Sequence, residues 1–102
     1  MTKQFKPEDL PLDYTKLKPI ERKHVRELYM EQQKNLCWFC NQSLLFGIFP
    51  NNPVNKFQVN KLLFPAGFFN NPIHLHHSHE NHMTIGAVHA HCNAVLWQHL
   101  GE

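Results

Sequence analysis

The sequence predicts a small α+β domain held together by a metal ion, and three observations carry that prediction. Residues 20–34 lack Gly and Pro and repeat apolar side chains at helical spacing. Residues 73–90 read as a β-hairpin followed closely by a second short helix. Two metal-binding half-sites of equal spacing, Cys37-x-x-Cys40 and His89-x-x-Cys92, bracket nearly half of the chain between them. With 102 residues, the chain buries only about two-thirds of its unfolded surface, so its core is marginal and a staple is expected. Hydrophobic residues make up 42%, which argues against disorder. A net charge of +2 excludes a protein that coats nucleic acid by charge alone, but not one that touches a few phosphates.

Residues 1–18 read as an extended, poorly packed arm, because Pro7, Pro11 and Pro19 each fix φ and restrict the residue before them. Tyr14 and Leu17 are the candidates to pin this arm to the body. The main domain then spans residues 19–102. Pro19 suits a first helical turn, and a helix is expected from Ile20 to about Lys34. Val25, Leu28, Tyr29 and Leu36 mark its apolar face, with Arg22, Lys23 and Arg26 among its charged residues. Residues 44–73, rich in Asn, Pro and Phe, read as an insertion with one short strand around Phe57 and Val59. Its phenylalanines read as core filler, with a partner surface at Phe68-Phe69 as the sharper alternative. The hairpin is expected to run from Ile73 to His79, turn at Glu80-Asn81-His82 with Asn81 left-handed, and return from Met83 to Val88. A helix from Asn93 to about Leu100 ends at Gly101.

Cysteines two residues apart on a tight turn can aim both thiols at one ion, and a second such pair completes a tetrahedron. Cys37, Cys40, His89 and Cys92 are therefore the expected ligands of a structural zinc. His91 is the rival for the third place; His89 is preferred because its spacing to Cys92 copies the first pair.

Eight of the nine histidines lie between His74 and His99. In a regular strand His74, His76 and Ser78 share one face while Leu75, His77 and His79 share the other. An apolar interior would leave the ring nitrogens of such a strand without partners. One imidazole as metal ligand, its neighbour as general base and Asn93 as a neutral oxygen ligand beside Cys92 form a hydrolytic constellation.

These residues carry a resemblance. The run His76-His77-Ser78-His79-Glu80, Asn81-His82, Ile85-Gly86 and His89-x-x-Cys92-Asn93 resembles the core of HNH endonucleases, most closely the phage recombination endonuclease VII branch. The resemblance covers roughly residues 19–100, with distinctive motifs in 37–40 and 76–93. It implies a treble-clef, ββα-metal scaffold and an endonuclease hydrolysing phosphodiester bonds in DNA, with low intrinsic sequence specificity. By the same resemblance His77 is the general base, and His76 and Asn93 hold a catalytic divalent cation such as Mg²⁺, Mn²⁺ or Ni²⁺. His79 supports the phosphate or the metal. The chain departs from the pattern where Ser78 replaces an acid, Ile85 an arginine and His89 a zinc cysteine.

Arg22, Lys23 and Arg26 are the candidate backbone contacts to DNA. A homodimer or a protein partner stays open. The alternative function is a catalytically degenerate, zinc-stapled module that binds nucleic acid or protein on the same scaffold. No run of eighteen apolar residues is present, so no membrane association is expected. The expected location is the cytoplasm, that of the host if the chain is phage-encoded.

Overall fold

The computed structural model describes residues 5–101. Helix α1 (Pro19–Gln32) starts where Pro19 supplies a fixed φ, and the backbone N–H of Lys18 donates to the Glu21 carboxylate at 2.8 Å. It buries Val25 and Tyr29. It ends two residues before the expected Lys34, because Lys34 and Asn35 both take positive φ and the Asn35 N–H returns to the Met30 carbonyl. Leu36 therefore lies beyond the helix, in a bridge to Ser43.

Strands β1 (Ile73–His77) and β2 (Thr84–His89) form an antiparallel hairpin, against which α1 and helix α2 (Ala90–Leu100) both pack. The register runs from Ile73 opposite His89 to His76 opposite Gly86, then jumps so that His77 faces Thr84. Ile85 is the extra residue of a β-bulge. The strands are shorter than expected at the turn, and the left-handed residue there is His82, not Asn81. Asn81 instead accepts the Met83 N–H on its side-chain oxygen at 2.9 Å, an Asx turn that shifts the positive φ one place on. Helix α2 begins three residues before the expected Asn93, with His89 as N-cap and the Ala90 N–H taken by the Pro72 carbonyl. Gly101, at φ 74, closes it in the left-handed conformation.

The arm is better packed than its prolines imply. Phe5 and Leu17 are core residues, and Leu10, Leu12 and Tyr14 pack on them. Residues 12–14 lie along β2: Thr84 N–H donates to Leu12 O and Tyr14 N–H to His82 O, both at 2.8 Å. Prolines bar a helix there but not edge pairing. Residues 44–73, the expected insertion, hold no strand at Phe57 and Val59. They make two short 3₁₀ turns, Pro53–Lys56 and Lys61–Leu63, each capped by a preceding Asn. No strand partner reaches Gln58; its carbonyl accepts from the side chains of Gln98 and His99 on α2.

Gln33 links three elements from the end of α1. Its carboxamide pairs with both the N–H and the C=O of Ala87 and also donates to Leu36 O. Trp38 N–H donates to the same Ala87 carbonyl. A methyl group on Gly86 would meet Gln33 Oε1 at 2.8 Å and Trp38 Cβ at 3.1 Å, so the side chains of both tethering residues are in the way. We expect Gly86→Ala to destabilise the fold by about 1–3 kcal/mol, read from the denaturant midpoint. An unchanged midpoint would show that this contact yields freely.

A Cys3His cluster beside a histidine-lined cavity

Residues 36–43 fold into a tight loop closed by the Leu36–Ser43 bridge and by Cys37 N–H donating to Gln42 O. Asn41 takes a positive φ, and Cys40 N–H points at Cys37 Sγ at 3.5 Å. Both thiols of the pair thus face one point. Across from them His89 closes β2 and Cys92 lies in the first turn of α2. The ligand atoms of Cys37, Cys40, His89 and Cys92 all lie within 4.8 Å of one another. His89 Nδ1 is 3.5 Å from Cys40 Sγ and 3.6 Å from Cys92 Sγ. Around a tetrahedral zinc, with Zn–S and Zn–N bonds near 2.3 and 2.0–2.1 Å, sulfur and nitrogen stand about 3.6 Å apart.

The imidazole is also set in the tautomer a metal needs. Nε2–H donates to the Ser43 carbonyl at 2.8 Å, so Nδ1 is the nitrogen turned toward the thiols and free to bind an ion once its proton leaves. Hydrogen bonds, foremost from Cys92 and then from His89, pull the Cys37 thiol down to about 3. Cys92 is pushed up, first by its hydrogen bond with Cys37 and then by burial. His89 is raised to about 9, chiefly by its contact with Cys37. A divalent ion relieves this competition for protons, since it lets every thiolate form at once. The donor set, spacing and second shell fit a metal ion such as zinc, and the cluster can hold one. His91 is not among the four.

The strand histidines face a different space, a cavity of about 550 Å³. His74, His76, His77, His79 and Asn93 all line it, together with Arg22, Lys23 and Arg26 from α1. All of β1, from Ile73 to His77, borders this cavity, so residues of both strand faces contribute to it, and the register jumps between His76 and His77. His76 is 1% exposed and lies beside Trp38, ring centroids 5.5 Å apart. His77 stacks on Tyr14 at 3.8 Å and stands 5.1 Å from His79. Burial, then the positive potential of His79, His76, His82 and Arg22, lowers His77 to about 4, so its ring is neutral at physiological pH.

Three contributors were given no role in the site by the sequence. His74 donates Nε2–H to Phe68 O at 2.7 Å, which leaves Nδ1 to accept from the Asn93 amide at 3.1 Å. This aims the Asn93 carboxamide, and only the tertiary pairing reveals it. Tyr14 comes from the arm, its ring under the Arg22 guanidinium at 4.1 Å. Trp97 was legible in principle, since it lies one helical turn beyond Asn93 and lines the same cavity. Among the described residues, the cavity imidazoles form no second group of three or more converging His, Cys, Asp or Glu ligands. No helix among them is long and apolar enough to cross a membrane. Comparison of the chain with protein-family models, curated proteins and solved structures yields no match.

Chelating the metal is expected to lower the melting temperature sharply or unfold the chain, as a structural zinc contributes on the order of 10 kcal/mol. Metal analysis should find about one tightly held zinc ion per chain. His89→Ala should destabilise strongly and His89→Cys should fold, while His91→Ala should be mild. Full stability without metal would refute the assignment. A second expectation concerns His77. Its folded pKa lies below the unfolded value, so its contribution to stability is present above about pH 6.5 and fades as the pH falls toward about 4. In an NMR titration its ring protons should stay flat from pH 8 to about 5.5. A midpoint near 6.5 would mean that the Tyr14 stack does not exclude water.

Proposed function

We propose that the chain is a small, metal-dependent HNH-type endonuclease that hydrolyses phosphodiester bonds in DNA, on a treble-clef, ββα-metal scaffold stapled by zinc. One observation carries this reading. A cavity beside the Cys3His cluster gathers strand imidazoles, Asn93 and three cationic side chains. Phosphodiester hydrolysis needs a proton acceptor for water and positive charge around the phosphate, and these residues supply both.

His77, neutral and held flat by Tyr14, accepts the proton of the attacking water. The water oxygen bonds to phosphorus as the bond to the 3′-oxygen breaks. Arg22, Lys23 and Arg26 offset the charge of the phosphate backbone, and His79, beside His77, supports a phosphate oxygen. His76 and the Asn93 Oδ1 would hold a divalent cation such as Mg²⁺, Mn²⁺ or Ni²⁺, which when bound supplies a Lewis acid at the phosphate. His74 acts through Asn93, turning its amide nitrogen away so that Oδ1 stays available. A second reading rests on one observation, that among the described residues no Asp or Glu lines the cavity. That favours a nucleic-acid-binding module without catalysis.

Supercoiled plasmid with added Mg²⁺, Mn²⁺ or Ni²⁺ separates the two. The nuclease reading expects nicking, reduced by about 10²- to 10⁴-fold in His77→Ala, with DNA binding retained. His76→Ala should recover part of its rate at raised metal concentration, and His76→Asp should stay active, since a carboxylate also binds these ions. DNA retention with no nicking by the wild-type protein would establish the binding module instead.

A further inference from the structure

One wall of the cavity is neither histidine nor cation. Trp97 on α2 is 45% exposed, although it sits on the face that carries Asn93. The insertion comes up beside it: Phe64 meets the Trp97 ring edge-on at 5.2 Å, Phe68 lies 4.7 Å from Phe64, and His74 lies 4.6 Å from Phe68. An aromatic run therefore leads from Trp97 to the imidazole that holds Asn93. It is anchored, because Gln98 binds both the Asn60 N–H and the Gln58 carbonyl, and His99 binds that carbonyl too. Trp97 offers about half of its ring to solvent in the wall of the cavity, next to Asn93 and in line with Phe64, so a ligand there can lie against it. Charge indicates which ligand: Arg22, Lys23 and Arg26 line the same space, and among the described residues no carboxylate does.

We propose that Trp97, backed by Phe64, is a base-stacking platform, and that the preferred substrate is a single-stranded nucleic acid segment. Aromatic rings and cations along one groove suit a strand whose phosphates meet the cations while its bases stack on the rings. A base inside a duplex is already stacked on both faces and has none to offer an indole. The helical rise sets Trp97 about 6 Å along α2 from Asn93. The stacked base then belongs to a nucleotide flanking the phosphate held near Asn93. This deepens the nuclease reading by naming its substrate class, and binding can be tested apart from cleavage.

The test is fluorescence anisotropy of the full chain, without added divalent cation, on a labelled 15-mer of mixed sequence as single-stranded DNA, single-stranded RNA and duplex DNA. We expect either single strand to bind at least about tenfold tighter than the duplex, the two arms showing which sugar is accepted. Trp97→Ala should weaken single-strand binding by about 5- to 150-fold, the range for losing one stacked base, and Trp97→Phe should keep most of it. Duplex binding should hardly change in either variant. Trp97→Leu keeps apolar bulk without a π-face and replaces Trp97→Ala if that protein fails to fold, as judged by zinc content and melting temperature. Duplex binding as tight as single-strand binding, or unchanged single-strand affinity in Trp97→Leu, would overturn the proposal. A protein that stacks single strands on Trp97 but never cuts any DNA would instead overturn the nuclease reading alone.

Discussion

His89 ends strand β2, is the N-cap residue of helix α2 and turns its Nδ1 toward the thiols of Cys37, Cys40 and Cys92. Four side chains from the loop after α1 and from the β2–α2 junction converge there, so the cluster decides where α2 starts and in which direction it runs. Asn93 follows Cys92 directly and Trp97 comes one turn later, so both inherit their placement from it. A core this small leaves little else to set that angle, since the residues α2 buries beyond Cys92 are only Ala90, Ala94, Val95 and Leu96. Ser43, whose carbonyl holds His89 Nε2–H, extends the same constraint into the start of the insertion.

The hairpin depends on the cluster at one end and on a defect at the other. Near His89 the pairing is regular, and Gln33 and Trp38 tie Ala87 to α1 and the Cys37–Cys40 loop. That tether leaves no room for a side chain at Gly86, one residue before the tied Ala87. Beyond His76 the extra residue Ile85 shifts the register, and there His77 borders the same cavity as His76 and stacks on Tyr14. The neutrality of His77 has the same origin, because the arm that carries Tyr14 shields the ring and the neighbouring positive groups disfavour a further charge.

Local chemistry was legible in the sequence wherever it depends on spacing along the chain. Cys37-x-x-Cys40 and His89-x-x-Cys92 appear as matched half-sites, and the structure brings those four together rather than recruiting His91. Pro19 opens a helix and Gly101 closes one, as residues with restricted or permissive φ do. Of the eight histidines crowded between His74 and His99, His74, His76, His77 and His79 line the cavity, and His89 joins the cysteines. What stayed hidden depends on contacts between distant segments. The alternation around Phe57 and Val59 resembles a strand, but a strand needs a partner, and Gln98 and His99 take up the Gln58 carbonyl instead. The arm's prolines masked the burial of Phe5 and Leu17, since a fixed φ says nothing of what a neighbouring side chain meets. The pairing of His74 with Asn93, the stack of Tyr14 on His77 and the ring contact of Phe64 with Trp97 join residues far apart in sequence. By itself, then, the sequence determined which groups could bind a metal or accept a proton, because those capacities belong to side chains and their near neighbours. Which of them share a cavity, and in what charge state, was decided only by the tertiary structure, because burial and cross-chain contact are properties of the packed molecule.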